Sequence, residues 1–133
     1  MGQRRKIIIA EDHDDHRYLC ALACEREGFE VLQAADGRQL IDIVREQRES
    51  GDLRQVALVI SDIMMPALTG LDALETLRQE GVELPFLFVS ALGDHETRSR
   101  AMGLRAMGIF VKPFDFVFLR RFLREAIVDH GGD

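Results

Sequence analysis

Five short β-type runs alternate along this chain with five longer stretches of helical periodicity. That alternation constrains the fold most, because successive parallel strands need a crossover long enough to carry a helix. The runs lie at 6–10, 29–33, 56–61, 85–90 and 109–112. Three hold unbroken apolar stretches, Ile7-Ile8-Ile9, Val56 through Ile60 and Phe86 through Val89, as strands covered on both faces require. The spacing predicts helices at about 15–27, 37–50, 69–80, 95–107 and 115–129. Leu71, Leu74 and Leu77 recur every three residues, and Phe116, Leu119, Leu123 and Ile127 trace a buried stripe. Gly28, Gly81 and Gly108 stand where left-handed helix caps are expected. The class is therefore α/β, a parallel sheet with helices on both sides.

Composition narrows the function. At 133 residues the chain has the length of a single domain, with an expected core over about 5–128 and a frayed tail at 129–133. It is 47% hydrophobic but only 7% aromatic, which suits a largely aliphatic core. The 23 acidic against 17 basic side chains leave a net charge of -6. That balance argues against broad nucleic-acid or anionic-membrane binding and favours a cation as small partner. No secretory apolar segment and no run of bilayer length occurs, so no membrane insertion is expected and the cytoplasm is the expected compartment. Nothing after residue 129 is long enough for a helix-turn-helix, so no nucleic-acid binding is expected of this chain. Cys20 and Cys24 read as reduced helix-packing residues.

In an open parallel sheet, ligands bind outside the carboxyl ends of the strands. Those ends carry Glu11 and Asp12, then Asp62, Ser90 and Lys112. Three carboxylates forced together repel, and a hard divalent cation with oxygen ligands relieves the repulsion. Mg2+ fits, since it needs only one or two direct carboxylates. Asp62 is the telling residue, because it ends an apolar run where an isolated carboxylate would be costly. An ammonium at Lys112 could pair with it or with an anionic group attached to it. Pro113 is a candidate for a cis bond that turns Lys112 inward, against a trans default. His13 and His16 read as solvated or capping groups at a helix start, His95 as the start of the fourth helix, and His130 as a tail residue.

Lys6 through Asp12, Asp62-Ile-Met-Met-Pro66 with Gly70, Phe88-Val-Ser90-Ala91 and Val111-Lys112-Pro113-Phe114 together resemble the receiver domain of two-component response regulators. The resemblance covers 5 to about 128 and implies a flavodoxin-like, doubly wound sheet of order 2-1-3-4-5 with five helices. It implies that Asp62 accepts a phosphoryl group from a histidine kinase or histidine phosphotransfer protein. Mg2+ would be held by Asp12, Asp62 and the Met64 backbone carbonyl, with Glu11 acting through water, while Lys112 and Ser90 contact the phosphoryl group. Such a module catalyses only its own modification, and it passes the signal to a downstream protein through the face formed by the fourth helix, fifth strand and fifth helix.

Departures from that pattern also carry expectations. Many receivers place a mobile aromatic three residues before the motif lysine, and here that residue is Ile109. The segment Arg105-Ala-Met-Gly108 lacks the acidic residues that often join a dimer face, and the stretch 45–55 is longer than usual. Met64 and Leu92 occupy positions where polar side chains often guide hydrolytic water, so slow self-dephosphorylation is expected. Helical geometry puts Phe118 about 160° from the buried stripe, toward solvent and a partner. A haloacid-dehalogenase-like phosphatase would want an acid at Met64, and a flavin phosphate would be repelled by the acids following Glu11. The competing reading is a degenerate receiver that serves as a phosphorylation-independent scaffold.

Overall fold

The computed structural model describes residues 4–91 and 93–128. The elements run β1 (Lys6–Ala10), α1 (Asp14–Arg26), β2 (Glu30–Ala34), α2 (Gly37–Glu49), a 3-10 turn (Leu53–Gln55), β3 (Val56–Asp62), α3 (Gly70–Gln79), β4 (Phe86–Ser90), α4 (His95–Gly103), β5 (Gly108–Val111) and α5 (Phe116–Phe122), which continues as a π-helical turn over Leu123–Val128. All strand pairs are parallel, in the order β2-β1-β3-β4-β5, as the resemblance implied. Among the described residues no helix is long and apolar enough to cross a membrane.

The pleat explains the apolar runs. Ile8 and Ala10 of β1 join the core beneath α2, α3 and α4, whereas Ile7 and Ile9 join the core beneath α1 and α5. In β4, Phe86 and Phe88 face the first layer and Leu87 and Val89 the second. Alternate residues thus fill opposite cores, so every position must be apolar. The β1–β3 register shifts between Lys6 and Ile7, whose partners are Val56 and Leu58, and β3 resumes its alternation beyond that irregularity.

Each helix begins at a side chain that accepts a backbone N–H: His13, Asp36, Thr69, Asp94 and Asp115. Gly28 and Gly81, at φ +93° and +85°, take the left-handed turn that L residues resist. Gly108 does not, for it opens β5. The left-handed residue after α4 is Arg105, at φ 63°. Helix α4 consequently stops at Gly103, short of the expected 107, and Gly103 is its last residue rather than an interior one. The long stretch 45–55 completes α2 and then turns through Gly51 into the 3-10 turn. Arg45 and Arg48 of α2 pair with Glu80 at the end of α3, the latter at 3.2 Å, and Lys6 donates to Gln47 at 2.9 Å. Leu119, Leu123 and Ile127 are buried and Phe116 packs beside them. The expected tail at 129–133, with His130, lies outside the described residues.

Candidate functional site

Parallel topology brings the carboxyl ends of β1, β3, β4 and β5 to one edge of the sheet. Glu11 and Asp12 follow β1, Asp62 ends β3, Ser90 ends β4 and Lys112 follows β5. Glu11, Asp62 and Ser90 are buried, while Asp12 stays exposed. Lys112 Nζ donates to Asp62 Oδ2 at 2.8 Å and to Glu11 Oε1 at 2.9 Å. The Lys112–Pro113 peptide bond is cis, and the Lys112 amide donates to Ser90 O at 2.8 Å.

The β3–α3 connection is built around tight approaches. The Met64 amide donates to Asp62 Oδ1 at 3.2 Å, and the Gly70 amide donates to Ile63 O at 2.8 Å. A Cβ on Gly70 would stand 2.2 Å from Asp62 O, so this position admits glycine alone and α3 starts directly against the backbone of Asp62. Ala67 sits in the left-handed region at φ 68°, a strained conformation for alanine of the kind found beside functional sites.

The two buried carboxylates divide the work unequally. Burial raises the Asp62 pKa, the negative charge of Glu11 adds to the rise, and Lys112 only partly offsets both. Burial acts upward on Glu11 too, yet Lys112, the His13 amide and the charge of His16 together bring its pKa below the ordinary carboxylate value. The difference lies in the donors. Glu11 Oε2 accepts the His13 N–H at 3.1 Å and Oε1 lies 3.1 Å from His16 Nδ1, whereas Asp62 accepts from the Met64 amide and from Lys112. Lys112 is raised despite burial, because both carboxylates hold its proton.

Glu11, Asp12 and Asp62 offer carboxylate oxygens that all lie within 4.8 Å of one another. Three oxygen donors with one ammonium between them leave a net negative pocket, the donor set a hard divalent cation takes. An open cleft of about 480 Å3 covers the cluster, with Glu11, Asp62 and Lys112 in its floor and Asp15, His16 and Leu19 on its rim.

The Met64 side chain is 58% exposed, and Leu92 lies outside the described residues. Ile109 is half-buried against the α2–α3–α4 core, while its neighbour Phe110 faces the opposite layer. Phe118 is 54% exposed, but its ring stacks on Phe110 at 5.2 Å. It therefore neighbours Phe110, whose ring faces the α1–α5 layer. His16 is the site residue that sequence reasoning missed. Far from solvated, it touches Glu11 and packs on Phe114 and Phe116, and its spacing from Glu11 signals none of this.

Comparisons with known proteins agree with this arrangement. The family profile described as the response regulator receiver domain matches residues 7–124. The chain is 36% identical over 111 residues to the alkaline phosphatase synthesis transcriptional regulatory protein SphR of Synechococcus elongatus, covering 82% of this chain but only 43% of that relative. It is 29% identical over 115 residues to sporulation initiation phosphotransferase F of Bacillus subtilis, covering 86% of this chain and 87% of that one. The structure of chemotaxis response regulator CheY4 of Vibrio cholerae superposes with a TM-score of 0.79 at 25% identity, over 92% of this chain and 98% of that one. With a profile that spans nearly the whole chain and a sheet order and acidic strand-end cluster to match, the protein belongs to the response regulator receiver domain family.

Proposed function

We propose that the whole chain, 1–133, is one phosphoacceptor module in which Asp62 takes a phosphoryl group from a histidine kinase or histidine phosphotransfer protein. An Asp62 oxygen attacks phosphorus, the O–P bond forms as the donor's P–N bond breaks, and the electron pair leaves on the imidazole, which picks up a proton. The observation that carries this reading is the Lys112 ammonium held between Asp62 and Glu11 at the strand ends. It stands where charge develops on the transferred oxygens, so positioning and electrostatics supply the catalysis.

Lys112 and Ser90 contact the phosphoryl oxygens in this reading. Asp12, Asp62 and the Met64 carbonyl would hold Mg2+, with Glu11 acting on it through water. Mg2+ when bound neutralises charge on the transferring group. The modified state then acts through α4, β5 and α5 on a downstream protein, with Ile109 and Phe118 on that face. The chain is not a turnover enzyme on an external substrate.

Intact mass after incubation with Mg2+ and acetyl phosphate tests the proposal. One phosphoryl adduct that requires both Mg2+ and Asp62, and is absent in Asp62→Asn, is the expected result. No adduct together with undetectable Mg2+ binding would favour the scaffold reading, to which the aliphatic Ile109 lends its one observation.

A further inference from the structure

Glu11 presents a problem of its own in this fold. It is 4% exposed, and its carboxylate shares Lys112 with Asp62. A phosphoryl group on Asp62 would draw that ammonium away, leaving a buried carboxylate with a single backbone donor, the His13 amide at 3.1 Å. A buried charge stripped of partners is expensive and moves. The structure holds a second side-chain donor for it.

We infer that His16 is a positioning residue that fixes the Glu11 carboxylate through Nδ1 and keeps it in place when Lys112 changes partner. The inference rests on the reading of Asp62 and Glu11 above. His16 Nδ1 lies 3.1 Å from Glu11 Oε1, and since a carboxylate only accepts, the hydrogen between them belongs to Nδ1. Neutral and protonated imidazole both satisfy that bond, so the role does not depend on charge.

His16 is itself immobilised from three directions. Its amide donates to His13 Nδ1 at 3.3 Å, the first cap of α1. Phe114 meets its ring edge-on at 6.0 Å and 83°, and Phe116 lies against it at 5.4 Å. Phe114 follows Lys112 in the β5–α5 connection and Phe116 opens α5, so one imidazole ties the start of α1 to the segment that follows the lysine. A glutamate has one more rotatable bond than an aspartate, and pinning its two oxygens to different donors removes that freedom. The His16 side chain, 28% exposed at the cleft rim, is too well packed for a solvated helix-start histidine.

Two variants and one spectrum decide it. His16→Leu keeps an apolar body against the phenylalanines and removes the donor, whereas His16→Asn restores an N–H near the Nδ1 position. With both folded by circular dichroism, Mg2+ affinity read from amide shifts at 12–13 should fall about ten-fold or more in His16→Leu and largely recover in His16→Asn. Phosphorylation rates from acetyl phosphate should follow the same order. Imidazole nitrogen NMR of the wild type should show a hydrogen on Nδ1. An unchanged affinity in His16→Leu, an Asn variant no better than Leu, or a bare Nδ1 would overturn the inference. Absence of Mg2+ binding and adduct in the wild type would instead overturn the site reading, while the nitrogen spectrum still decides whether His16 holds Glu11.

Discussion

At the scale of the residue, the site is a contest for one ammonium. Asp62 binds its proton more tightly folded than unfolded, because burial and Glu11 both raise its pKa above the ordinary 3.8. The folded state therefore holds more protons in that window, and stability falls as pH rises from 3.8 through the raised value. Glu11 works oppositely, contributing stability above its ordinary 4.5 that is lost as pH falls through its lowered value. In Mg2+-free buffer, Asp62→Asn should melt at or above the wild-type temperature at pH 7, and the advantage should shrink as pH falls toward 3.8. A deficit at every pH would show that the Lys112 pairing outweighs burial. Met64, with its side chain in solvent, gives a second test: Met64→Asn with Leu92→Glu should shorten the phosphoryl lifetime, read as adduct decay by mass. An unchanged lifetime would end that idea. Glu11, Asp12, Asp62, Ser90 and Lys112 could all be named from sequence, since each stands at a strand end. Which carboxylate pays for burial was not legible, because it depends on donors contributed by α1.

At the scale of the element, α4 is the weakly anchored helix. Ala101 is its one buried residue, and it is held mainly by polar links. Arg100 reaches Asp72 and Glu75 of α3 at 2.8 and 2.9 Å. Arg78, lying over the Phe86 ring at 5.7 Å, donates to Leu104 O at 2.9 Å and Val82 O at 2.8 Å. It thereby caps the end of α4 from the neighbouring helix. Arg78→Ala should cost about 1–3 kcal/mol by stranding those carbonyls, measured by urea unfolding, with faster amide exchange at 104–106. Arg78→Lys should not restore it, because one ammonium cannot replace the guanidinium fork. A loss of stability without local exchange would point to the Phe86 contact instead. Periodicity placed every helix but overran α4 by four residues, since Arg105 supplies the turn that glycine was expected to make. A left-handed arginine carries no sequence signature; its guanidinium is held by Glu83 at 2.8 Å, a contact from another connection.

At the scale of the molecule, the sheet separates two cores and α5 closes the second. Glu27, at the end of α1, receives Arg120 at 2.9 Å and Arg124 at 3.1 Å, tying the first helix to the last. Hydrogen bonding from Arg124 outweighs burial and holds the Glu27 carboxyl below its ordinary 4.5, so this tie is present above that pH and fades below it. Glu27→Ala should cost about 1 kcal/mol, given the exposure of both arginines. The loosening should appear in hydrogen exchange over 116–128 before it appears elsewhere. Uniform loosening across the sheet would show that the two layers unfold as one.

The class of fold, the placing of the helices along the chain and the position of Glu11, Asp12, Asp62, Ser90 and Lys112 at strand ends were determined by the sequence alone, because periodicity acts between residues a few positions apart. The Cys20 and Cys24 reading belongs with these: both are buried and free, and their mutual hydrogen bond, with burial, pushes the Cys24 thiol up. Only the tertiary structure decided that His16 serves Glu11, that Phe118 rests on Phe110, that Arg78 finishes α4 and that Asp62 rather than Glu11 bears the cost of burial. Each is a contact between segments remote in sequence, where desolvation and the choice of hydrogen-bond partner depend on what the sheet brings together.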